Sequence, residues 1–207
     1  MSPRQINALI PHALYPNTRH HLLVRRGDTL SVPVPITVAE TQPGIYSMNQ
    51  QGTGQGAILI AGTSSVAGPP GAWPGSRPVR RGEYLSIYCA GLGVVTNPPG
   101  DGAPALTSPL STTLAQPAVL VGGAAAEVTF SGLAPGFVGV YQINVKTADQ
   151  SPAGNVVLVV VRIGETVSDT VTIAVERRRH GLWPGPDSPA SPGSVSGSGV
   201  GNLLNVI

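Results

Sequence analysis

Short strand-like runs rich in apolar residues, several of them alternating with polar residues, extend along most of this chain and are separated by glycine and proline. The clearest of them are residues 83–90, 127–130, 138–145, 155–162 and 166–175. Alternation with a period of two is typical of β-strands that bury one face, and no longer stretch has the 3.6-residue period of an amphipathic helix. Turn signals such as Pro-Gly, Gly-Gly and Asp-Gly lie between the runs. The pattern predicts an all-β protein built as a β-sandwich.

The run at residues 155–162 is a nearly continuous series of valines and leucine. Such a run is typical of a strand that is buried on both faces, or of one that is central in a sandwich. The run at residues 166–175 alternates again, with Val167, Val171 and Ile173 on one side. We therefore expect both runs to contribute to the core.

The chain contains an internal repeat in which matching residues are 137 positions apart. Gln5-Ile6-Asn7 recurs as Gln142-Ile143-Asn144, and residues 23–31 (LVRRGDTLS) match residues 160–168 (VVRIGETVS). The apolar positions that follow match in the same way: Val34, Ile36 and Val38 correspond to Val171, Ile173 and Val175. A gapless series over more than about thirty positions indicates duplication of a structural unit.

The two copies differ in what precedes them. The later copy follows a long run of its own domain, whereas only four residues precede the earlier copy. We therefore expect residues 41–176 to form one complete domain, and residues 1–40 to be the C-terminal part of a truncated one. The complete unit has the size of an ordinary domain, about 100–150 residues. Pro, Ser and Gly dominate residues 177–207, which predicts a linker or tail.

An ordered set of motifs in the complete unit is similar to one known family. The set consists of Arg81–Tyr88 with Gly91-Leu92-Gly93, then Gly132–Gly136, Gly139–Val145 and Val171–Val175. It resembles the immunoglobulin-like repeat domain found near the C-termini of large secreted acidobacterial proteins, and the resemblance covers about residues 2–176. The resemblance implies an immunoglobulin-like β-sandwich and an extracellular or cell-surface setting. It brings no assigned catalytic or binding residue.

Charge and targeting signals exclude several classes of protein. Charged residues make up 11% of the chain and the formal net charge is +2, which is too little for a dedicated nucleic-acid binder. No apolar run approaches the roughly 18 residues of a membrane-spanning helix. The first residues carry no basic and apolar leader. The expected extracellular setting therefore rests on the family resemblance alone.

The sequence shows no constellation of catalytic residues or metal ligands. Cys89 is the one cysteine and lies in an apolar run, and the four histidines lack the spacing of zinc ligands. No serine lies in a Gly-x-Ser-x-Gly turn. Gly91-Leu92-Gly93 lacks the third glycine and the following helix of a dinucleotide-binding loop. We therefore expect neither enzymatic activity nor a cofactor or metal.

The composition and the truncated repeat together favour a non-enzymatic structural or adhesion module. It would act as a spacer, an anchor or a filament former, and pair strands with other copies of itself or with neighbouring β-sandwich domains. Residues 1–40 would leave apolar faces and strand edges open, so we expect this segment to be ordered only through pairing and the isolated chain to self-associate. The alternative is a carbohydrate- or polymer-binding module accessory to a secreted enzyme. Its ligand contacts would be the aromatic residues Trp73 and Tyr46.

Overall fold

Strands and turns make up the structure, a computed structural model that describes residues 6, 8–11 and 14–176. No helix occurs among these residues, which confirms the predicted all-β class. Accordingly, no described segment forms a helix that could cross a membrane. The described residues belong to one compact unit. The predicted tail at residues 177–207 lies outside the described residues.

The strands are short, and few exceed seven residues. In chain order they are β1 (Thr18–Leu22), β2 (Arg25–Arg26), β3 (Thr29–Leu30), β4 (Val34–Val38), β5 (Gly44–Ile45), β6 (Gly54–Gln55), β7 (Ile58–Ile60), β8 (Tyr84–Ala90), β9 (Ala118–Val121), β10 (Ala124–Leu133), β11 (Tyr141–Lys146), β12 (Gly154–Ile163), β13 (Thr166–Val167) and β14 (Val171–Val175).

One curled sheet of ten strands forms most of the structure. Its main path has the order β5-β8-β11-β10-β9-β12-β14-β6, while β7 and β13 pair with β8 and β12 beside that path. The long strand β10 joins the two halves of the sheet, because its residues 124–126 pair with β9 and its residues 127–133 pair with β11. A register shift between Val128 and Phe130 interrupts the second pairing. Such a bulge bends a strand and increases its twist.

The core lies between the two halves of the curled sheet. One buried apolar cluster fills this space. It is formed by alternate residues of β8 and β11 in one half of the sheet and of β9, β12 and β14 in the other. Its members in these strands are Leu85, Ile87, Cys89, Val119, Val121, Tyr141, Ile143, Val145, Val157, Val159, Val161, Ile163, Val171, Ile173 and Val175. The facing layers make the fold sandwich-like, as expected for strands that each bury one side.

Strand β12 has the predicted central position but buries only one face. It pairs with β9 along one edge and with β14 along the other. Val157 and Val159 are buried, whereas Val156 and Leu158 are exposed because no described layer covers the outer side. Of the two alternatives that the run indicated, the central strand is the one that the structure shows.

The predicted strand at residues 166–175 is divided into β13 and β14. β13 turns back onto the end of β12, and the chain reverses at Gly164, whose φ is +57°. Ser168 then accepts a hydrogen bond from the Val161 amide through its Oγ, at 3.0 Å. Val167 lies in β13, before the interruption that separates β13 from β14. Its side chain is therefore exposed and does not join the side chains of β14 in the core.

The first four strands form two small sheets outside the curled sheet. β1 pairs with β4, and β2 pairs with β3, both in antiparallel fashion. The register of β2 with β3, and that of the last three residue pairs of β1 with β4, recur 137 residues later in β12, β13 and β14. The first two pairs of β1 with β4 do not recur, because a register shift between Gly154 and Val157 lets Gly154 pair with Val175. The recurring pairs of β1 and β4 are His20–Ile36, His21–Pro35 and Leu22–Val34, which correspond to Val157–Ile173, Leu158–Thr172 and Val159–Val171.

The local hydrogen bonds recur at the same offset. Ser31 accepts a hydrogen bond from the Val24 amide through its Oγ at 3.0 Å, as Ser168 does from Val161. The turn between β2 and β3 contains Gly27 with a φ of +60°, which is close to the φ of Gly164. Residues 20–36 and 157–173 therefore share register, turn conformation and the hydrogen bond from a backbone amide to a serine side chain.

Candidate functional site

The acidic, histidine and cysteine side chains in the described part of the chain are dispersed. No group of three or more His, Cys, Asp or Glu side chains there is placed to hold a metal ion. Cys89 is fully buried in β8, and burial raises the pKa of its thiol to about 12. Because the thiolate is the reactive form of cysteine, this side chain acts as a small apolar core residue.

The charged residues before β8 form a structural ion-pair network. The Arg77 guanidinium donates hydrogen bonds of 2.8 and 2.9 Å to the Glu83 carboxylate, and the Arg80 amide donates another of 2.8 Å. The hydrogen bonds from Arg77 lower the pKa of Glu83. Arg80 also contacts Glu176 at 2.8 Å, just after β14. These contacts hold the two chain segments together, and every charge in them has a protein partner.

The two aromatic residues predicted as ligand contacts lie in different surroundings. Trp73 is half-buried and its ring packs against Gly68, where an added Cβ would lie 3.1 Å from Cζ3 of the indole. Tyr46 follows β5 and is exposed, although partial burial raises the pKa of its hydroxyl. Tyr46 lines an apolar groove to which Trp73 does not contribute. The structure does not bring the two rings into one site.

One apolar sheet face lacks a covering layer among the described residues. We call it the open face and define it by His20, Leu22, Val34, Ile36 and Val38. These side chains lie on one side of the β1–β4 sheet, because directly paired residues and alternate residues project in the same direction. Leu22 is 43% exposed and Val34 is 54% exposed.

The corresponding positions of the later segment belong to the core. They are Val157, Val159, Val171, Ile173 and Val175, and none of them is more than 4% exposed. Side chains of β8 and β11 cover them in the buried cluster. The apolar residues of the open face thus occupy core positions of the repeat, but Leu22 and Val34 are exposed and His20, Ile36 and Val38 are only half-buried.

The open face continues into an apolar groove of about 610 Å³. Ile36 and Val38 lie on one wall, and Val94, Val95 and Tyr141 at the end of the curled sheet lie on the other. The groove is therefore the gap between the β1–β4 sheet and the larger sheet.

Leu9, in the segment before β1, also lines this groove. Its Cδ1 lies against the position that a Cβ on Gly139 would occupy, so a side chain at residue 139 would require Leu9 to move. The early segment is thus in direct contact with the turn that precedes β11.

Strand β1 has a free edge. It pairs with β4 and with no other described strand, and the backbone of Leu23 has no hydrogen-bond partner among the described residues. In the later segment Val160 occupies the position of Leu23 and is paired with Leu120 of β9. Unpaired edge groups on an apolar sheet are a ready template for another strand.

The sequence indicated part of this site. Residues 1–40 were expected to leave apolar faces open, and in the structure Leu22 and Val34 are exposed whereas Ile36 and Val38 are half-buried. The groove was missed, because Val94, Val95 and Tyr141 reach it from positions far from residues 1–40 in sequence. No short motif marks those residues, so only their apolar character in a turn region was available as a signal.

Comparison with known proteins assigns no family to the chain. No protein-family model, no curated protein and no solved structure matches it. The open face, the groove and the free edge of β1 are therefore the features that bear on the function of the chain.

Proposed function

We propose that this chain is a non-enzymatic structural module that joins protein units outside the cell. In this proposal residues 41–176 form an immunoglobulin-like β-sandwich, and residues 1–40 are the end of a second copy of the same unit. The β1–β4 sheet is the joining element, since its apolar face is buried only when another unit covers it. The extracellular setting rests on the resemblance to the secreted repeat family.

The shared geometry of the two segments supports the duplication. Residues 20–36 and 157–173 have the same register at an offset of 137, and a chance resemblance of sequence would not reproduce strand pairing. The core between the halves of the curled sheet supports the sandwich architecture. If both the duplication and the sandwich architecture hold, the β1–β4 sheet corresponds to half of one layer of such a sandwich.

The contrast between Leu22 and Val159 carries the proposal. The two residues occupy the same register position, yet Leu22 is 43% exposed and Val159 is 0% exposed. Full burial of one such aliphatic side chain contributes about 1.5–3 kcal/mol. Because the apolar residues of the open face are already partly covered, the remaining gain is several kcal/mol in total. A gain of that size favours association with another apolar surface.

In a solution of the pure chain, the open faces of two molecules are available to each other. A contact between two identical faces is self-complementary and closes as a dimer, whereas head-to-tail strand addition would propagate. We therefore expect self-association that depends on protein concentration and on the side chains of the open face.

Leu22→Asp and Leu23→Asp form a matched pair of variants for this expectation. The two leucines are adjacent and are 43% and 45% exposed, but they project from opposite sides of the extended chain. In static light scattering over a range of concentrations, the average mass of the wild-type chain should rise above that of the monomer. Leu22→Asp should remain monomeric because its carboxylate would have to be buried, while Leu23→Asp should behave as the wild type.

A wild-type chain that stays monomeric at all concentrations would contradict the proposal. An equal loss of association in both variants would contradict it as well, because the contact would then not involve the open face.

A further inference from the structure

The geometry points to one kind of partner for this site, on the basis of the proposed function. We infer that the free edge of residues 22–25 accepts an uncharged aliphatic strand of the Ala-Val-Leu-Val type, which adds in antiparallel orientation and covers the adjoining part of the open face. A unit of the same repeat supplies this strand.

Strand β9 shows what the corresponding edge binds in the complete unit. β9 lies antiparallel to β12, with Val121 opposite Val159 and Val119 opposite Val161. The Gly122 amide donates a hydrogen bond of 2.7 Å to the Leu158 carbonyl at the end of this pairing. Leu22 is the residue 137 positions before Val159. A strand like β9 that pairs in the same register would therefore place a valine opposite Leu22.

The other edge of the small sheet is less suited to pairing. Pro35 lies within β4, at the position of Thr172 in β14. In the complete unit this edge pairs with β6, and the Gly56 amide donates a hydrogen bond of 2.9 Å to the Thr172 carbonyl. Because proline has no amide hydrogen, the β4 edge lacks a donor that an added strand would use. The β1 edge contains no proline between residues 18 and 25.

The charges near the free edge favour a different strand over a second copy of β1. Arg19, Arg25 and Arg26 are exposed there, and Arg25 lies 3.9 Å from Asp28. If two β1 edges paired in antiparallel fashion, Arg19 of one molecule would approach Arg25 of the other. Like charges opposite each other destabilise a sheet. A strand with the sequence of β9 carries no charge and avoids this repulsion.

The probe for this inference is a fluorescein-labelled peptide with the sequence of residues 117–123, PAVLVGG, titrated with the full-length chain. Fluorescence anisotropy should show saturable binding, and light scattering should show that the bound peptide lowers the average mass of the chain by competing with its self-association.

Two pairs of matched variants test which side of the bound peptide lies against the open face. Binding should be at least about tenfold weaker for the Leu22→Asp chain and for the Val121→Asp peptide, since each change would bury a carboxylate. The Leu23→Asp chain and the Leu120→Asp peptide should stay within about threefold of the parent pair, because these side chains project away from the open face.

The possible failures are distinguishable. If the peptide does not bind while the wild-type chain still associates through Leu22, the assigned partner is wrong and the proposed function stands. If the chain neither associates nor binds the peptide, both are wrong. Equal binding of the peptide to the wild-type and Leu22→Asp chains would place it at another surface and overturn the inference.

Discussion

Val159→Asp should unfold the complete unit, whereas Leu22→Asp should leave its stability unchanged. The two positions have the same place in the strand register, and Val159 is 0% exposed within the core. An aspartate there loses the burial of the valine and brings a carboxylate into an apolar layer, a change that costs about 4–5 kcal/mol or more. The total stability of a domain is about 5–15 kcal/mol. Leu22 is exposed, so its replacement should change the free energy of unfolding by about 0.5 kcal/mol at most.

Urea unfolding followed by circular dichroism measures both effects. Leu158→Asp is the matched control for Val159→Asp, because Leu158 is the neighbouring residue of β12 and its side chain is exposed. We expect this control to lose less than about 1 kcal/mol. Equal losses of stability for Val159→Asp and Leu158→Asp would contradict the burial of Val159 and the exposure of Leu158. A large loss of stability for Leu22→Asp would contradict the exposure of Leu22.

Deletion of residues 1–40 should abolish self-association and leave residues 41–176 folded. Every residue of the buried apolar cluster lies between Ile45 and Val175, so the deletion removes none of them. It does remove Leu9 from its contact with Gly139 and uncovers the wall of the groove that contains Tyr141. We expect a loss of about 1 kcal/mol, which lowers the melting temperature by a few degrees.

Thermal unfolding and light scattering on the same sample test the deletion. The shortened chain should have the mass of a monomer at every concentration and should unfold in one cooperative transition. Loss of that transition would mean that residues 1–40 are part of the core of the complete unit. Association that persists would mean that another surface joins the molecules.

The sequence predicts two of the longer strands well and the short strands poorly. β8 and β12 are found within one residue of their predicted bounds, because each contains at least seven residues with a strand-type pattern. The ten-residue strand β10 was predicted only in its middle, at residues 127–130. β5 and β6 contain only two residues each, and β9 is a four-residue strand next to Pro117 and a Gly-Gly turn. Strands of that length depend on a partner strand that is distant in sequence, so local periodicity carries little information about them.

The candidate site shows a different limit of sequence analysis. The pattern at Leu22, Val34 and Ile36 indicates which face of a strand is suited to a core, because apolar residues recur with the period of the strand. It does not indicate whether another layer lies against that face. The internal repeat allows the exposed face to be compared with a buried one, since Val159, Val171 and Ile173 occupy the same positions in the complete unit and are buried there.

The absence of a covering layer over the open face is tested most directly by hydrogen exchange of the full-length chain at several concentrations, with mass spectrometry as the readout. In dilute solution the amides of β1 and β4 should exchange orders of magnitude faster than those of β12 and β14, since exposed sheets open at low free energy. Protection of β1 and β4 should rise with protein concentration, while that of β12 and β14 stays constant. Equal protection of the two segments at every concentration would contradict the account.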